Sequence, residues 1–394
     1  MKEKSVLVIG AGASGITAAI FAAREGAHVT VLEHNEKPGK KLCATGNGRC
    51  NLSNEKQSRE AYRGEAPDFV NAVFAQFFLE DTRLFFENLG LALQSRNGYL
   101  YPRSNQAASV LSVLLMEAKR LSVKIKTREH VREIKRLAGG FSVLTDTWHY
   151  EADAVILASG SLAGNISGAD GSGYALARSL GHSLIKPLPA LVPLRCKGSK
   201  MKWAGVRAEG EAVLSIDGQA TFRDRGELQL TEYGVSGIPI FQISRYAVRA
   251  LERGQKVRLF LNFLPEYKKE EAMRFLKERR EKFPQRSKKE LLTGLFPEKL
   301  TSFFCEQPEL FKAVCELELE VVSAYSMESA QVCSGGIPGA EVHAETLESA
   351  LVPGLFFAGE ILNVDGACGG YNLQWAWSSG AVAGMWAAGH QERL

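Results

Sequence analysis

The first apolar stretches of the chain follow the order strand, turn, helix, strand. Residues 5–9 (SVLVI) form a β-branched apolar run, which predicts a strand buried on both faces. Residues 14–25 carry the small apolar side chains of a helix that packs on a sheet, and Gly26 ends this helix. Residues 28–32 (HVTVL) predict a second strand. This order predicts a βαβ unit, the building block of a parallel α/β sheet.

Three glycines with GxGxxG spacing lie at the turn between the first strand and the helix, and an acid follows the second strand. A turn without side chains lets backbone amides and the positive end of the helix approach a pyrophosphate. The carboxylate can accept hydrogen bonds from both ribose hydroxyls, and it disfavours the 2′-phosphate of NADP. The pattern predicts a site for NAD or FAD, and the alternative is a plain tight turn with a solvated strand end. The predicted contacts are Gly10, Gly12, Ala13, Ser14, Gly15 and Glu33.

The segment of residues 38–54 (PGKKLCATGNGRCNLSN) favours FAD over NAD. It holds three glycines, two adjacent lysines and one arginine, and its lack of apolar periodicity predicts a loop. Its backbone amides and basic side chains can bind a diphosphate and the edge of a flavin, whereas the alternative is a mobile basic surface loop. The predicted contacts in this segment are Lys40, Lys41, Thr45, Gly46, Asn47, Arg49, Cys50 and Asn51.

The same segment resembles the BaiN/RdsA-like family of bacterial NAD(P)/FAD-dependent oxidoreductases, the YhiN-like flavoproteins, in its succession of GKK, TG, GRCN and SN. The likeness recurs at residues 98–104 (GYLYPRS), 330–337 (AQVCSGGI) and 354–384. Cys333 and Cys368 stand where threonine-like residues are expected in that family. The resemblance implies an oxidoreductase that holds FAD noncovalently, with enone reduction and amine oxidation among its relatives.

A third buried strand that ends in small residues is predicted at residues 154–160 (AVILASG). It is similar to the strand that passes beneath the FAD pyrophosphate in two-part flavoproteins. Residues 161–173 then form a glycine-rich loop instead of a second GxGxxG unit. No dedicated NAD(P)H domain is therefore predicted, and NAD(P)H is expected to be a transient electron donor. The stretch up to Leu194 distantly resembles succinate dehydrogenase and fumarate reductase flavoproteins. The contacts expected here are Ala158, Ser159 and Gly160 and, by resemblance, the backbone of Val131 against the adenine ring.

The C-terminal part of the chain predicts another strand, a glycine turn and a helix. Residues 354–359 (GLFFAG) form the strand and residues 373–388 the helix. A helix N-terminus that points at the flavin ring stabilises negative charge at the N1 and O2 edge. The resemblance implies that Glu360 binds the ribityl chain, and an acid in an ordinary loop is the alternative. The predicted contacts are Gly359, Glu360, Asp365, Gly370, Tyr371, Asn372 and Leu373.

The composition changes near Leu191 to alternating, turn-rich stretches, with Asp217-Gly218 as a hairpin turn. We therefore predict an α/β fold in which a discontinuous, two-part Rossmann-like FAD-binding domain carries an inserted β-barrel or sandwich with a helical cap. The predicted boundaries are residues 1–190 and 326–394 for the FAD-binding domain, and residues 191–325 for the inserted cap or substrate domain, β-rich over 191–265 and helical over 266–325.

Composition and charge exclude several classes of protein. Of the 394 residues 45% are hydrophobic and 23% charged, which is typical of globular domains, and the net charge of +4 indicates no obligate nucleic-acid partner. Residues 6–23 carry no charge, but the glycines at their centre argue against a signal peptide or membrane anchor. Seven scattered cysteines indicate a reducing cytoplasm, and no metal site is predicted.

The flavin is expected to supply the chemistry, and no catalytic residue is assigned. The predicted function is hydride transfer between NAD(P)H, FAD and a small organic substrate, with reduction of an enone as one form. Two alternatives are an amine oxidase that uses oxygen and a noncatalytic FAD-bound sensor that contacts RNA. Residues 267–290 carry ten Lys or Arg against five Glu, so they are the candidate RNA face, although a solvated helical face explains them better. Tyr99, Tyr101 and Tyr371 are equal candidates for a proton donor.

Overall fold

A computed structural model describes residues 3–65, 67–166, 168–198 and 202–390 of the chain. The chain divides into two compact units. The first unit consists of Met1–Pro187 and Val332–Leu394, and the second unit consists of Leu188–Gln331. The second unit is therefore an insertion into the first.

The secondary structure is numbered in chain order. The strands are β1 (Ser5–Ile9), β2 (His28–Glu33), β3 (Ser53–Asn54), β4 (Tyr62–Arg63), β5 (Leu93–Arg96), β6 (Tyr99–Pro102), β7 (Lys124–Thr127), β8 (Val131–Leu137), β9 (Gly140–Thr145), β10 (His149–Ala152), β11 (Ala154–Leu157), β12 (Ile185–Ala190), β13 (Leu194–Cys196), β14 (Val206–Ile216), β15 (Gln219–Leu230), β16 (Gly234–Gly237), β17 (Val257–Asn262), β18 (Leu317–Ala324), β19 (Val332–Gly336), β20 (Leu355–Phe357) and β21 (Asp365–Gly366). The helices are α1 (Ala13–Arg24), α2 (Lys40–Ala44), α3 (Pro67–Phe74), α4 (Leu79–Asn88), α5 (Ala107–Arg120), α6 (Ser172–Ser179), α7 (Ile238–Glu252), α8 (Lys269–Lys282), α9 (Lys288–Leu292), α10 (Glu298–Glu306), α11 (Leu310–Cys315) and α12 (Tyr371–Ala387). None of the helices among the described residues is both long and apolar enough to cross a bilayer.

The first unit is built on a parallel sheet of five strands in the order β20-β11-β1-β2-β7. Val6 of the central strand lies opposite Ala154 of β11 on one side and Val29 of β2 on the other. Every residue of β11 is buried, as expected for a strand covered on both faces. The predicted α/β fold with a Rossmann-like core is confirmed.

Helix α1 packs on the sheet and on α12 through small residues. A Cβ atom on Gly380 would lie 2.5 Å from the carbonyl oxygen of Ser14, and one on Gly384 would clash with the carbonyl oxygen of Ala18. Larger side chains at these positions would separate the two helix backbones. The last helix of the chain is thus packed closely against the first.

The first unit also contains antiparallel pieces. Strands β8, β9 and β10 form one sheet, in which Phe141 lies opposite Ala152 and Leu144 opposite His149. In two smaller sheets, β6 pairs with both β3 and β5, and β21 pairs with β4. The pairing of β21 with β4 brings Asp365 opposite Arg63, which links the C-terminal segment to the N-terminal part of the unit.

The second unit contains a closed antiparallel barrel in the order β13-β16-β15-β14-β17-β18. A turn at Asp217 and Gly218 joins β14 to β15, as predicted. The expectation of helices throughout residues 266–325 is wrong at its C-terminal end, because β18 closes the barrel there by pairing with β13 and β17. Leu319 and Val321 are buried while Glu318 and Glu320 are exposed, which is the period-two pattern of a half-buried strand.

Candidate functional site

The predicted contacts converge at one edge of the parallel sheet. The glycine turn follows β1, Glu33 ends β2, Ala158 follows β11, and Gly359 follows β20. These four strands are neighbours in the sheet, so their carboxyl ends lie side by side. Crevices beyond the carboxyl ends of parallel strands are the usual ligand sites of such folds.

The glycine turn combines close packing with open space. Gly10 has φ of 103°, and a Cβ atom there would lie 2.6 Å from the carbonyl oxygen of Ala158. A Cβ atom on Gly15 would clash with the carbonyl oxygen of Gly10, so the start of α1 sits directly on the turn. In contrast, a Cβ atom on Gly12 would meet no atom within 4 Å. No side chain of the described residues caps α1 at Gly12, and this helix end therefore suits an anion.

Glu33 is buried at the end of β2, so it is not a solvated strand end. Its Oε2 accepts a hydrogen bond from the amide of Ala11 at 2.8 Å. Its Oε1 accepts hydrogen bonds from the backbone and side-chain amides of Asn35, both at 2.8 Å. The carboxylate is held rigidly beside the glycine turn, and its oxygens have lone pairs left for further donors.

The two adjacent lysines point to different partners. The Nζ atom of Lys40 donates to Oδ1 of Asn35 at 2.8 Å, next to Glu33. The Nζ atom of Lys41 lies 2.6 Å from Oε2 of Glu360. The segment predicted as a loop is helical here, because Lys40–Ala44 forms α2, and successive side chains of a helix point in different directions.

Glu360 has one satisfied and one unsatisfied oxygen. Oε2 binds Lys41 and also accepts a hydrogen bond from Ser161 at 3.4 Å, whereas Oε1 is buried without a hydrogen-bond partner among the described residues. The hydroxyl of Ser159 is also buried without a hydrogen-bond partner among the described residues. Buried polar atoms without partners are rare in proteins, and a bound polar ligand can satisfy them. The open space at Gly12 and these two atoms fit a long polar cofactor such as FAD.

The turn that leads into α12 is fixed by hydrogen bonds. Oδ1 of Asn372 accepts from the amide of Gly366 at 2.7 Å, and its Nδ2 donates to the carbonyl of Gly366 at 2.9 Å. The Asn51 amide, in the orientation that satisfies its neighbours, accepts from the amide of Gly370 at 3.2 Å. The predicted contacts Asn51, Gly370 and Asn372 therefore lie together, and α12 begins at Tyr371 beside them.

The remaining predicted contacts fall in three places. The first group lies in or directly after the 3₁₀ turn Thr45–Gly48 and consists of Thr45, Gly46, Asn47, Arg49 and Cys50. Val131 is buried at the start of β8. The last group lies beside the turns already described and consists of Ala13, Gly160, Asp365, Tyr371 and Leu373. Burial raises the pKa of the Cys50 thiol to about 12, so this cysteine stays protonated. Burial, together with the nearby charge of Glu360, raises the pKa of the Cys333 thiol to about 11. Both thiols are inert at neutral pH, which favours packing roles.

The structure contains a histidine cluster that the sequence analysis did not find. Nδ1 of His182 lies 2.9 Å from Oε2 of Glu341, and Nε2 lies 2.8 Å from Oγ of Ser349. This is the connectivity of a hydrolytic triad, but Ser349 is buried and its Oγ also accepts hydrogen bonds from the amides of Leu351 and Val352. The cluster therefore joins the segment after α6 to the segment before β20.

One group of metal-capable side chains occurs among the described residues, His34, His130 and Asp170, with ligand atoms within 4.8 Å of one another. The two imidazole rings are stacked, with centroids 4.2 Å apart and planes inclined by 21°. An imidazole nitrogen binds a metal in the plane of its ring, so two stacked rings cannot both ligate one ion without turning. The cluster flanks Glu33 and Val131 and is not arranged as a metal centre.

Comparisons with known proteins identify the family of the chain. Residues 4–386 match the family model described as HI0933-like protein Rossmann domain. The 3-dehydro-bile acid delta(4,6)-reductase of Clostridium scindens is 45% identical over 401 residues, covering 97% of this chain and 98% of its own. The ribosomal RNA dihydrouridine synthase of Escherichia coli K12 is 28% identical over 399 residues, covering 96% of each chain. One similar solved structure is the 3-ketosteroid-delta4-(5alpha)-dehydrogenase of Rhodococcus jostii RHA1 in complex with 4-androstene-3,17-dione. Its TM-score is 0.50 at 16% sequence identity, and the match covers 98% of this chain and 97% of that one. This match shows similarity of fold alone.

The family match covers both parts of the first unit and the whole inserted unit. The reductase relative matches over the same extent, so the resemblance carried by residues 39–54 is confirmed. The chain therefore belongs to the HI0933-like family of Rossmann-fold flavoproteins, and it is an oxidoreductase.

Proposed function

We propose that the chain binds FAD noncovalently and reduces a conjugated C=C bond of a small organic substrate, with NAD(P)H as a transient electron donor. The observation that carries this proposal is the 45% identity, over nearly the whole chain, to a delta(4,6)-reductase. The names of that relative and of the dihydrouridine synthase both describe reduction of a C=C bond. The reaction class is thus shared while the printed substrates differ, and the substrate of this chain is proposed only as an enone.

The residues at the sheet edge would hold FAD along its length. The turn from Gly10 to Gly15 and the start of α1 would bind the pyrophosphate, because amides and open space meet there. Glu33 would accept the ribose hydroxyls, and the unsatisfied oxygen of Glu360 would accept a ribityl hydroxyl. The start of α12 would stabilise negative charge on the ring edge. When bound, the flavin supplies two-electron transfer to the substrate.

The inserted unit is proposed as the cap or substrate domain, and its barrel is a rigid support for loops that touch a substrate. We place the protein in a reducing cytoplasm, a proposal supported by the seven scattered cysteines of the sequence. An obligate nucleic-acid partner is not part of the proposal, because α8 carries alternating charges with i, i+4 ion pairs such as Arg274 with Glu278.

Anaerobic stopped-flow spectroscopy tests the reaction. The bound flavin is identified by mass spectrometry after release by heat or acid, reduced with NADH or NADPH, and then mixed separately with an unsaturated ketone and with oxygen. Reoxidation by the ketone with formation of the saturated product supports the proposal. A reduced flavin that ignores every enone, together with an amine that reduces the oxidised flavin and oxygen that restores it, supports the oxidase instead. A colourless protein that takes up no added FAD contradicts the cofactor assignment.

The absence of a second GxGxxG unit implies that NAD(P)H and the substrate use one cleft in turn. Steady-state kinetics are then expected to show the parallel double-reciprocal lines of a ping-pong mechanism. At high concentration each substrate is expected to inhibit competitively against the other. Intersecting lines would instead indicate a ternary complex with two separate sites.

A further inference from the structure

Tyr101 lies in a group of polar side chains beside the turn that leads into α12. In β6 the residues alternate, so Leu100 and Pro102 are buried while Tyr99 and Tyr101 are partly exposed on the other face. Strand β5 pairs with β6 and places Arg96 opposite Tyr99. Tyr99 and Tyr101 thus present two hydroxyl-bearing rings on one face of a short antiparallel sheet.

Two of the tyrosines near this turn have hydroxyls engaged in hydrogen bonds. The hydroxyl of Tyr371 donates to the carbonyl of Lys56 at 2.8 Å, and that of Tyr62 donates to the side chain of Gln57 at 2.8 Å. The ring of Tyr99 packs on Gly369, where an added Cβ atom would lie 2.8 Å from Cε1. Neither Tyr99 nor Tyr101 makes a hydrogen bond to any of the described residues through its hydroxyl, so both protons are unengaged.

Two cations lie close enough to Tyr101 to act on its charge. They are Arg49 and Arg96, and Tyr99 and Cys368 are the other titratable groups in range. Neither arginine forms an ion pair with a carboxylate in the part of the chain that the structure describes. Positive charge that is not neutralised by an acid stabilises a tyrosinate when one forms.

Burial, the largest effect, raises the pKa of Tyr101, and Tyr99 adds to this increase, while Arg49 and Arg96 act in the opposite direction. The hydroxyl therefore carries its proton throughout the neutral range. A general acid needs this property, because it must hold a proton before the reaction and tolerate the negative charge after it.

The position of this group connects it to the proposed flavin ring. Arg49 is separated by one residue from Asn51, whose amide accepts from Gly370 at the start of α12. Cys368 precedes Gly370 by two residues on the other side of the same turn. Tyr101 thus faces side chains from both segments that meet at this helix end.

We propose that Tyr101 is the general acid of the C=C reduction, an inference that rests on the proposed function. NAD(P)H is the reductant, and FAD, when bound, would supply the hydride that forms a C–H bond at the β-carbon of the enone. The π electrons move toward the carbonyl and give an enolate. The O–H bond of Tyr101 then breaks, its proton forms the second C–H bond at the α-carbon, and water returns a proton to the tyrosinate.

The test compares Y101F with the matched control Y99F, which removes the same atom from the same face of the same strand. In Y101F, flavin content and the rate of flavin reduction by NAD(P)H are expected to equal those of the wild type. The rate of flavin reoxidation by the enone is expected to fall about 10²–10⁴-fold, the usual contribution of a general acid. Y99F is expected to keep the wild-type rate. Equal reoxidation rates in Y101F and the wild type would overturn the proposal.

One measurement on the wild type does not depend on the variant folding, and a titration of Y101F adds a second readout. The reoxidation rate is expected to fall as the pH rises through the raised pKa of Tyr101, and a rate that stays constant through tyrosine ionisation would overturn the proposal. Ultraviolet difference titration is expected to show that Y101F lacks one late-ionising tyrosinate. If the reduced wild-type flavin reacts with no enone at all, the proposed function fails; if it reacts and Y101F reacts equally fast, the assignment of Tyr101 alone fails.

Discussion

The ammonium group of Lys41 lies 2.6 Å from Oε2 of Glu360, while the other carboxylate oxygen of Glu360 is buried without a partner among the described residues. The two residues are 319 positions apart, so the ion pair ties α2 to the segment after β20. The salt bridge fixes the carboxylate and leaves its second oxygen free to accept a hydrogen bond. This arrangement suits an acid that binds a ligand hydroxyl.

Replacing Glu360 by Gln is expected to weaken FAD binding by about 1.5–3 kcal/mol, because a charged hydrogen bond is lost and Lys41 is left without its anion. Fluorescence titration of the apoprotein with FAD measures the change in Kd. Glu133→Gln is the matched control, since it removes an exposed carboxylate that pairs with Lys135. An unchanged Kd in E360Q would show that Glu360 serves only the ion pair.

Replacing Gly12 by Ala is expected to weaken FAD binding without lowering the stability of the fold. The added methyl group meets no protein atom within 4 Å, so the Tm should stay close to that of the wild type. The same methyl group occupies the space proposed for the pyrophosphate, so FAD affinity should fall sharply. Gly15→Ala is the contrasting variant, because its Cβ atom clashes with Gly10 and should cost about 1–3 kcal/mol of stability. Full flavin content in G12A would show that the pyrophosphate lies elsewhere.

The buried His182 predicts how stability depends on pH. Burial lowers the pKa of His182, although Glu341 opposes this effect. The unfolded chain therefore binds the proton more readily, and stability that is complete above the ordinary histidine pKa of about 6.5 is lost as the pH falls below it. Urea unfolding at a series of pH values measures the slope. His182→Ala should lower stability at pH 8 and flatten this slope, whereas His28→Ala, at an exposed position, should do neither. A slope unchanged in H182A would assign the acid sensitivity to other groups.

The predicted division of the chain is tested by expressing residues 1–190 alone. This fragment lacks β20, Glu360 and α12, so it is expected to be unstable and to retain no FAD. Size-exclusion chromatography and the flavin absorbance of the purified fragment provide the measurement, with the full chain as the reference. A stable, flavin-loaded fragment would show that residues 1–190 form a complete cofactor domain.

Local patterns in the sequence predicted the parallel core, because a buried strand and its glycine turn are determined by neighbouring residues. Strand β18 was missed, since its partners β13 and β17 are distant in sequence and a run of helices precedes it. The His182 cluster was missed for the same reason, because its partners lie 159 and 167 positions away. The different partners of Lys40 and Lys41 follow from the helical geometry of α2, which the glycine-rich composition did not indicate.

The close packing of α1 against α12 sets an order of events during protein synthesis. Helix α1 leaves the ribosome among the first elements, whereas the glycines of α12 that receive its backbone are made after every strand of the sheet and the barrel. Domains usually begin to fold from their N-terminal side as they are made. Here the small-residue face of α1 stays uncovered until α12 has been made, so before that point the nascent chain has no finished cofactor site to fill.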